Sequence, residues 1–191
     1  MDKNSKIKKL TNFKWLNMFK VNYKGRDGRS VDWFFASRKE NPKKGKGRAD
    51  AIVIVPFMDD KIVLIKQFRP SIGEYIIECP AGILEDREEI GDAAQRELKE
   101  ETGLDIVNSK IYDIPLYNSI GISDDSVSYV FAEVKGEPTT KWNEVTEYIE
   151  ILIVDKEEAS SLLSSQQNIS AKTWLILMAF VNGFDWKIMI K

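Results

Sequence analysis

Apolar residues recur along the chain with two periods, and the switches between them outline the elements. Lys14 to Tyr23 and Ser30 to Ser37 have strand character, and Lys24-Gly25-Arg26-Asp27-Gly28 between them carries the Asp-Gly signal of a hairpin turn. Ala51 to Met58 and Lys61 to Phe68 are rich in Ile and Val and are split by Asp59-Asp60, which predicts a second strand pair. Tyr75 to Glu78 is a short strand running into Pro80-Ala81-Gly82. Further strands are expected at Ile111 to Leu116, Ser126 to Val134 and Tyr148 to Val154; within the second, Val127, Tyr129 and Phe131 alternate as a half-buried strand requires. Helical spacing appears at Asp92 to Thr102, with Gly103 as its stop, at Lys156 to Ser164, and at Ser170 to Asn182. In the last, Ser170 is the expected cap, and Trp174, Leu177, Met178 and Val181 form an i, i+3, i+4, i+7 stripe assigned to the core. The order strands, helix, strands, helices predicts an α+β fold: an α-β-α sandwich around a mixed sheet, with the N-terminal β-hairpin as an appendage.

Composition narrows the chemistry. The chain has 191 residues and no histidine, which removes Ser-His and Cys-His dyads and all His-ligated metal sites. Its one cysteine, Cys79, forms no internal disulfide and is read as a small buried hydrophobe. Lys+Arg (28) nearly balance Asp+Glu (30), so no general grip on nucleic acid is expected. The six Lys/Arg between Arg38 and Arg48 read as a solvated loop. The longest apolar run, Trp174 to Val181, is too short to span a bilayer, and Lys3, Lys6, Lys8 and Lys9 precede no apolar leader segment. No membrane association and a cytoplasmic location are the expectations.

What remains is carboxylate chemistry, concentrated in one place. Between Glu85 and Glu101 lie eight acidic and three basic residues. Glu97, Glu100 and Glu101 stand at i, i+3 and i+4, so a helix puts them on one face with neighbours about 5–6 Å apart. Three like charges so close destabilise a helix, and a hard divalent cation reverses that penalty. Arg96 is placed to orient Glu88 or Glu101 by a bidentate contact.

The spacing Gly82, five residues, Glu88, seven residues, Arg96-Glu97-Leu98, one residue, Glu100-Glu101, one residue, Gly103-Leu104 fills every fixed position of the Nudix box. The chain therefore resembles the Nudix hydrolases, which cleave a diphosphate linked to another moiety. The resemblance implies that Glu97, Glu100 and Glu101, with the backbone carbonyl of Ala81, hold Mg²⁺ (with Mn²⁺ as a substitute), and that Arg96 and Glu88 support them. Lys66-Gln67-Phe68-Arg69-Pro70 and Glu78-Cys79-Pro80-Ala81-Gly82 are similar to runs of the ADP-ribose pyrophosphatase branch. That likeness implies an adenine clamp from Trp15 and Trp33 of a swapped homodimer, substrate contacts from Arg38, Arg69 and the Gly121 loop, and a general base at Glu147, or at Glu144 if the loop is shifted. It divides the chain into a hairpin region, 1–48, and a hydrolase domain, 49–191. The implied substrate is ADP-ribose or a related nucleoside diphosphate sugar. GDP-mannose, dinucleoside polyphosphates and nucleoside triphosphates are the competing substrates, and a non-catalytic nucleotide-sugar sensor is the competing class. One departure bears on specificity: Ile120 stands where the branch usually carries proline.

Overall fold

The Asp-Gly turn closes as its sequence predicts, with Gly25 N–H donating to Arg29 O at 2.8 Å and Gly28 N–H to Gly25 O at 3.0 Å. It joins β2 (Asn17–Lys24) to β3 (Ser30–Ser37) in an antiparallel register running from Asn17↔Ser37 to Lys24↔Ser30. A third strand, β1 (Ile7–Lys9), adds to the outer edge of β2. The computed structural model describes residues 7–42 and 47–190, so Lys3, Lys6 and the centre of the basic run, Lys43 to Lys46, lie outside the described residues. The strand expected from Lys14 begins only at Asn17. The buried Asn17 side chain accepts from Phe13 N–H at 2.7 Å and donates to Phe13 O at 2.7 Å, which turns the preceding residues into a loop.

The chain packs as two compact units, Met1–Asp50 with Ile114–Val127, and Ala51–Asp113 with Ser128–Lys191. Inside the first, Phe19 is buried and stacks on Phe35. Asp50 accepts from the backbone and hydroxyl of Ser126 at 3.0 and 2.8 Å, and Ala36 N–H donates to Ile122 O.

The second unit is built on a mixed sheet. Its strands are β4 (Ala51–Met58), β5 (Lys61–Arg69), β6 (Glu74–Glu78), β7 (Ala81–Ile83), β8 (Asp105–Tyr117), β9 (Ser126–Lys135) and β10 (Ile149–Val154), with β8 and β9 extending into the first unit. The main order is β10-β5-β4-β9-β8, with β6 on β5 and β7 on β4. The unbroken apolar runs of β4 and β5 are explained by burial on both faces. Helix α1 (Ile90–Thr102) lays Ala93, Ala94 and Leu98 against Ile52, Ile54 and Val63, the two alanines letting the helix approach closely. Elsewhere Phe57 stacks on Trp186 with ring centres 4.3 Å apart. Helix α2 (Lys156–Leu163) opens on a capping box made by Asp155 and Glu158, and α3 (Ala171–Val181) on the Ser170 hydroxyl.

The stripe assigned to the core of α3 is corrected. Leu177 is buried, but Trp174 is 42% exposed and Met178 also faces outward; Thr173, Leu177 and Phe180 form the inner face. α3 is apolar all round, so spacing alone does not select a side, and the Thr173 hydroxyl turns inward because it accepts from Cys79 N–H at 2.9 Å. The short β1, β7 and α4 (Lys187–Ile190) carry too few residues to show a period. Among the described residues no helix is long and apolar enough to cross a membrane.

Candidate active site

The acidic helix begins two residues before the expected Asp92 and stops at Gly103, whose left-handed φ of 75° sends its N–H back to Lys99 O. Arg96 leaves this helix as a four-way clamp. Its Nε and Nη2 grip both oxygens of Glu88 at 2.8 and 3.0 Å, and its Nη1 reaches Glu97 at 2.8 Å and Glu100 at 3.2 Å. Of Glu88 and Glu101, the two partners the spacing offers it, Arg96 holds Glu88. The Glu88 bonds are the main reason the guanidinium holds its proton even more tightly than usual. Glu88 also accepts from Glu85 N–H, so the loop before the helix is tied to the same ion pair. Glu97 and Glu100 are thereby aimed before any ligand binds.

Glu97 lies directly over Gly82. A Cβ added to Gly82 would fall on the Glu97 carboxyl carbon, so only glycine leaves room for that carboxylate. Glu101 is 2% exposed, and its Oε2 accepts from Ala81 N–H at 3.0 Å. Strand β7 thus places the Ala81 backbone against the buried carboxylate. Burial pushes the Glu101 carboxyl well above the ordinary carboxylate range. The Ala81 N–H opposes that rise, and the charges of Glu97 and Glu147 add to it. Glu97 is also raised, first by burial, then by Glu100 and Glu147, against the pull of Arg96.

Glu147 comes from the loop before β10, far along the chain, yet it interacts electrostatically with Glu97, Glu100 and Glu101. Burial raises its own carboxyl, Glu144 and Glu100 raise it further, and Glu144 N–H and Arg69 counter the rise. Glu144 is more exposed, and its backbone N–H donates to Glu147 Oε2 at 3.2 Å. Arg69, at the end of β5, is paired with Glu78 at 2.6 Å and draws on both Glu101 and Glu147. The holding role of Glu78 was not foreseen, although the residue sits in one of the runs that carry the resemblance.

The donor set fits a hard divalent cation. It consists of crowded carboxylate oxygens; a dication would relieve their repulsion and offset the burial that raises Glu97 and Glu101. Among the described residues no three carboxylates already converge as a finished coordination cluster. Glu97 and Glu100 each lend an oxygen to Arg96 instead.

The remaining predicted site residues belong to the first unit. Trp15 is 70% exposed and Trp33, on β3 opposite Val21, is 43% exposed, so neither ring is a core residue. The Lys14 ammonium lies 4.2 Å over the Trp15 ring. Arg38 Nε is 3.6 Å from Asp125. Gly121 lies in the turn where Ser119 O accepts from Ile122 and Ser123 N–H groups, with open space around it and Ile120 exposed.

The helix, its clamp and its buried carboxylates define a class, and comparison with known proteins agrees. Residues 47–175 match the NUDIX domain model. The chain belongs to the Nudix hydrolase family, whose enzymes generally use divalent cations. It is 34% identical over 133 residues to the ADP-ribose pyrophosphatase of Saccharomyces cerevisiae, covering 67% of this chain and 56% of that protein. It is 36% identical over 126 residues to the ADP-ribose pyrophosphatase of Bacillus subtilis, covering 64% of this chain and 67% of that one. The crystal structure of an ADP compounds hydrolase superimposes with a TM-score of 0.72 over 94% of this chain and 95% of its own; at 18% identity that likeness shows the fold.

Proposed function

We propose that this protein is a Mg²⁺-dependent pyrophosphohydrolase of ADP-ribose or a related nucleoside diphosphate sugar, giving a nucleoside monophosphate and a sugar phosphate. One observation carries the chemistry: four carboxylates from two distant segments are set within electrostatic reach of one another around the buried Glu101. The names of the relatives in yeast and Bacillus subtilis support the substrate.

In this reading Glu97, Glu100, Glu101 and the Ala81 carbonyl would hold the cation. Held there, a divalent cation would supply charge withdrawal from the pyrophosphate and acidify the attacking water. Arg96 keeps Glu97 and Glu100 in place during turnover, because its bonds to Glu88 resist displacement. Glu147 accepts the water's proton; its raised affinity for protons suits it better than a fully solvated carboxylate. Arg69 is fixed by Glu78 with its planar fork available to phosphate or ribose oxygens. Trp15 and Trp33 stack on the adenine, Arg38 and the Gly121 loop contact the substrate, and the hairpin region, 1–48, is the exchanged arm of a homodimer beside a hydrolase domain, 49–191.

Product analysis with Mg²⁺ tests the proposal on ADP-ribose, ADP-glucose, GDP-mannose, diadenosine polyphosphates and nucleoside triphosphates. AMP and ribose 5-phosphate, formed fastest from ADP-ribose, are the expected outcome. Fastest turnover of a triphosphate or dinucleoside polyphosphate would refute the substrate class.

A further inference from the structure

The loop that carries Glu147 is tied to the helix that carries Glu97, Glu100 and Glu101. The last carbonyls of an α-helix have no partner within the helix. In α1, Lys99 O is taken by Gly103 N–H at 2.9 Å and Thr102 O by Thr139 N–H at 2.9 Å. Glu100 O is taken by a side chain from the loop. The Asn143 amide faces two carbonyls, and with its nitrogen assigned to that side, the only orientation that satisfies them, it donates to Glu100 O at 2.9 Å and to Thr140 O at 3.0 Å. The loop then makes two successive turns, Asn143 N–H to Thr140 O at 3.2 Å and Glu147 N–H to Glu144 O at 2.9 Å. It ends where Tyr148 O accepts from Phe68 N–H at 3.3 Å on β5. Gly103 makes the approach feasible, since a Cβ there would meet Thr139 O at 2.9 Å and Thr139 N at 3.0 Å.

We infer that Asn143 is a positioning residue: by capping the Glu100 carbonyl it fixes the Glu144–Glu147 turn over the carboxylate helix and so sets where Glu147 meets the reacting water. The inference rests on the proposed role of Glu147 as base. Glu100 then serves twice, with its side chain at the cation site and its backbone holding the loop. Asn143 touches neither substrate nor cation; it acts through Glu147. A displacement of about 1 Å in a base costs up to about 100-fold in rate, while substrate binding elsewhere is unaffected.

The test uses the full-length protein. Asn143→Ala and the isosteric Asn143→Asp, which presents no donor to Glu100 O, should each lower kcat by about 10- to 100-fold, with KM within about twofold of the native value and Tm held. Amide exchange of residues 140–148 should accelerate in both variants. In a Glu147→Gln background, Asn143→Ala should cause no further loss, because residues acting as one unit are not additive. Native kcat in Asn143→Asp, or a full additional loss in the Glu147→Gln background, would overturn the inference. Native kcat in Glu147→Gln alone would sink the base assignment and the positioning role with it. That failure is told apart because exchange reads the tether without catalysis.

Discussion

Gly82 and Glu97 show how a residue with no side chain can be part of a site. The Glu97 carboxylate occupies the space that any Cβ at position 82 would need. Gly82→Ala should therefore shift Glu97 and weaken cation affinity by about 10- to 100-fold, the usual range for a disturbed support residue. Calorimetric titration with Mn²⁺ checks this, and unchanged affinity would contradict the proposed role of Glu97 as a cation ligand. Cys79 makes a different residue-scale case. Burial pushes its thiol up to about 12 from an unfolded value near 9.0. The folded protein keeps that proton where the unfolded chain has lost it, so the thiol contributes no instability below about pH 9 and lowers stability as pH rises from there toward 12. At pH 8 a disulfide reagent should label Cys79 only after unfolding; rapid labelling of the native protein would contradict its burial. The glutamate spacing and the small, apolar character of Cys79 were legible in the sequence. The Arg96–Glu88 pairing was one of two alternatives there, and only the loop's return before α1 decides between them.

At the scale of elements, the box helix was the most legible part, because its signal is local: carboxylates on one face, alanines on the other, glycine at the end. The loop from Thr139 to Tyr148 was the least legible. Its position depends on helix carbonyls more than thirty residues away, and no period or turn residue encodes such a pairing. The spacing on α3 misplaces its inner face for a related reason, since an all-apolar helix leaves the choice of side to its tertiary partners. Gly103 joins the two elements. Gly103→Ala would force a non-glycine residue to φ 75° and press its Cβ on the Thr139 backbone. A loss of about 1–3 kcal/mol in urea unfolding is expected, together with lower kcat. A stability change within error would mean that the loop moves aside freely.

At the scale of the molecule, the mixed sheet and its helices were foreseen, whereas the packing of residues 114–127 with the N-terminal strands was not. That segment is joined by the Ala36 N–H to Ile122 O bond and by Asp50 on Ser126, pairings between distant positions that no local pattern encodes. The N-terminal region leaves Phe13, Trp15, Trp33 and Phe34 exposed, a set of aromatics suited to a base, to a second copy of the chain, or to both. Trp33→Ala should raise KM for ADP-ribose by about 5- to 150-fold, the equivalent of one lost stack of about 1–3 kcal/mol, with kcat little changed. Steady-state kinetics decide it, and an unchanged KM would make Trp33 a packing residue alone. Light scattering of the native chain should give the mass of a dimer.

Glu101→Gln tests whether the buried carboxylate of Glu101 carries the proposed hydrolysis. The substitution keeps the shape and an acceptor for Ala81 N–H while removing the charge. With Mg²⁺ and ADP-ribose, kcat should fall by orders of magnitude while Tm stays at or above the native value, since a crowded buried charge is gone. Native turnover by a folded Glu101→Gln protein would contradict it.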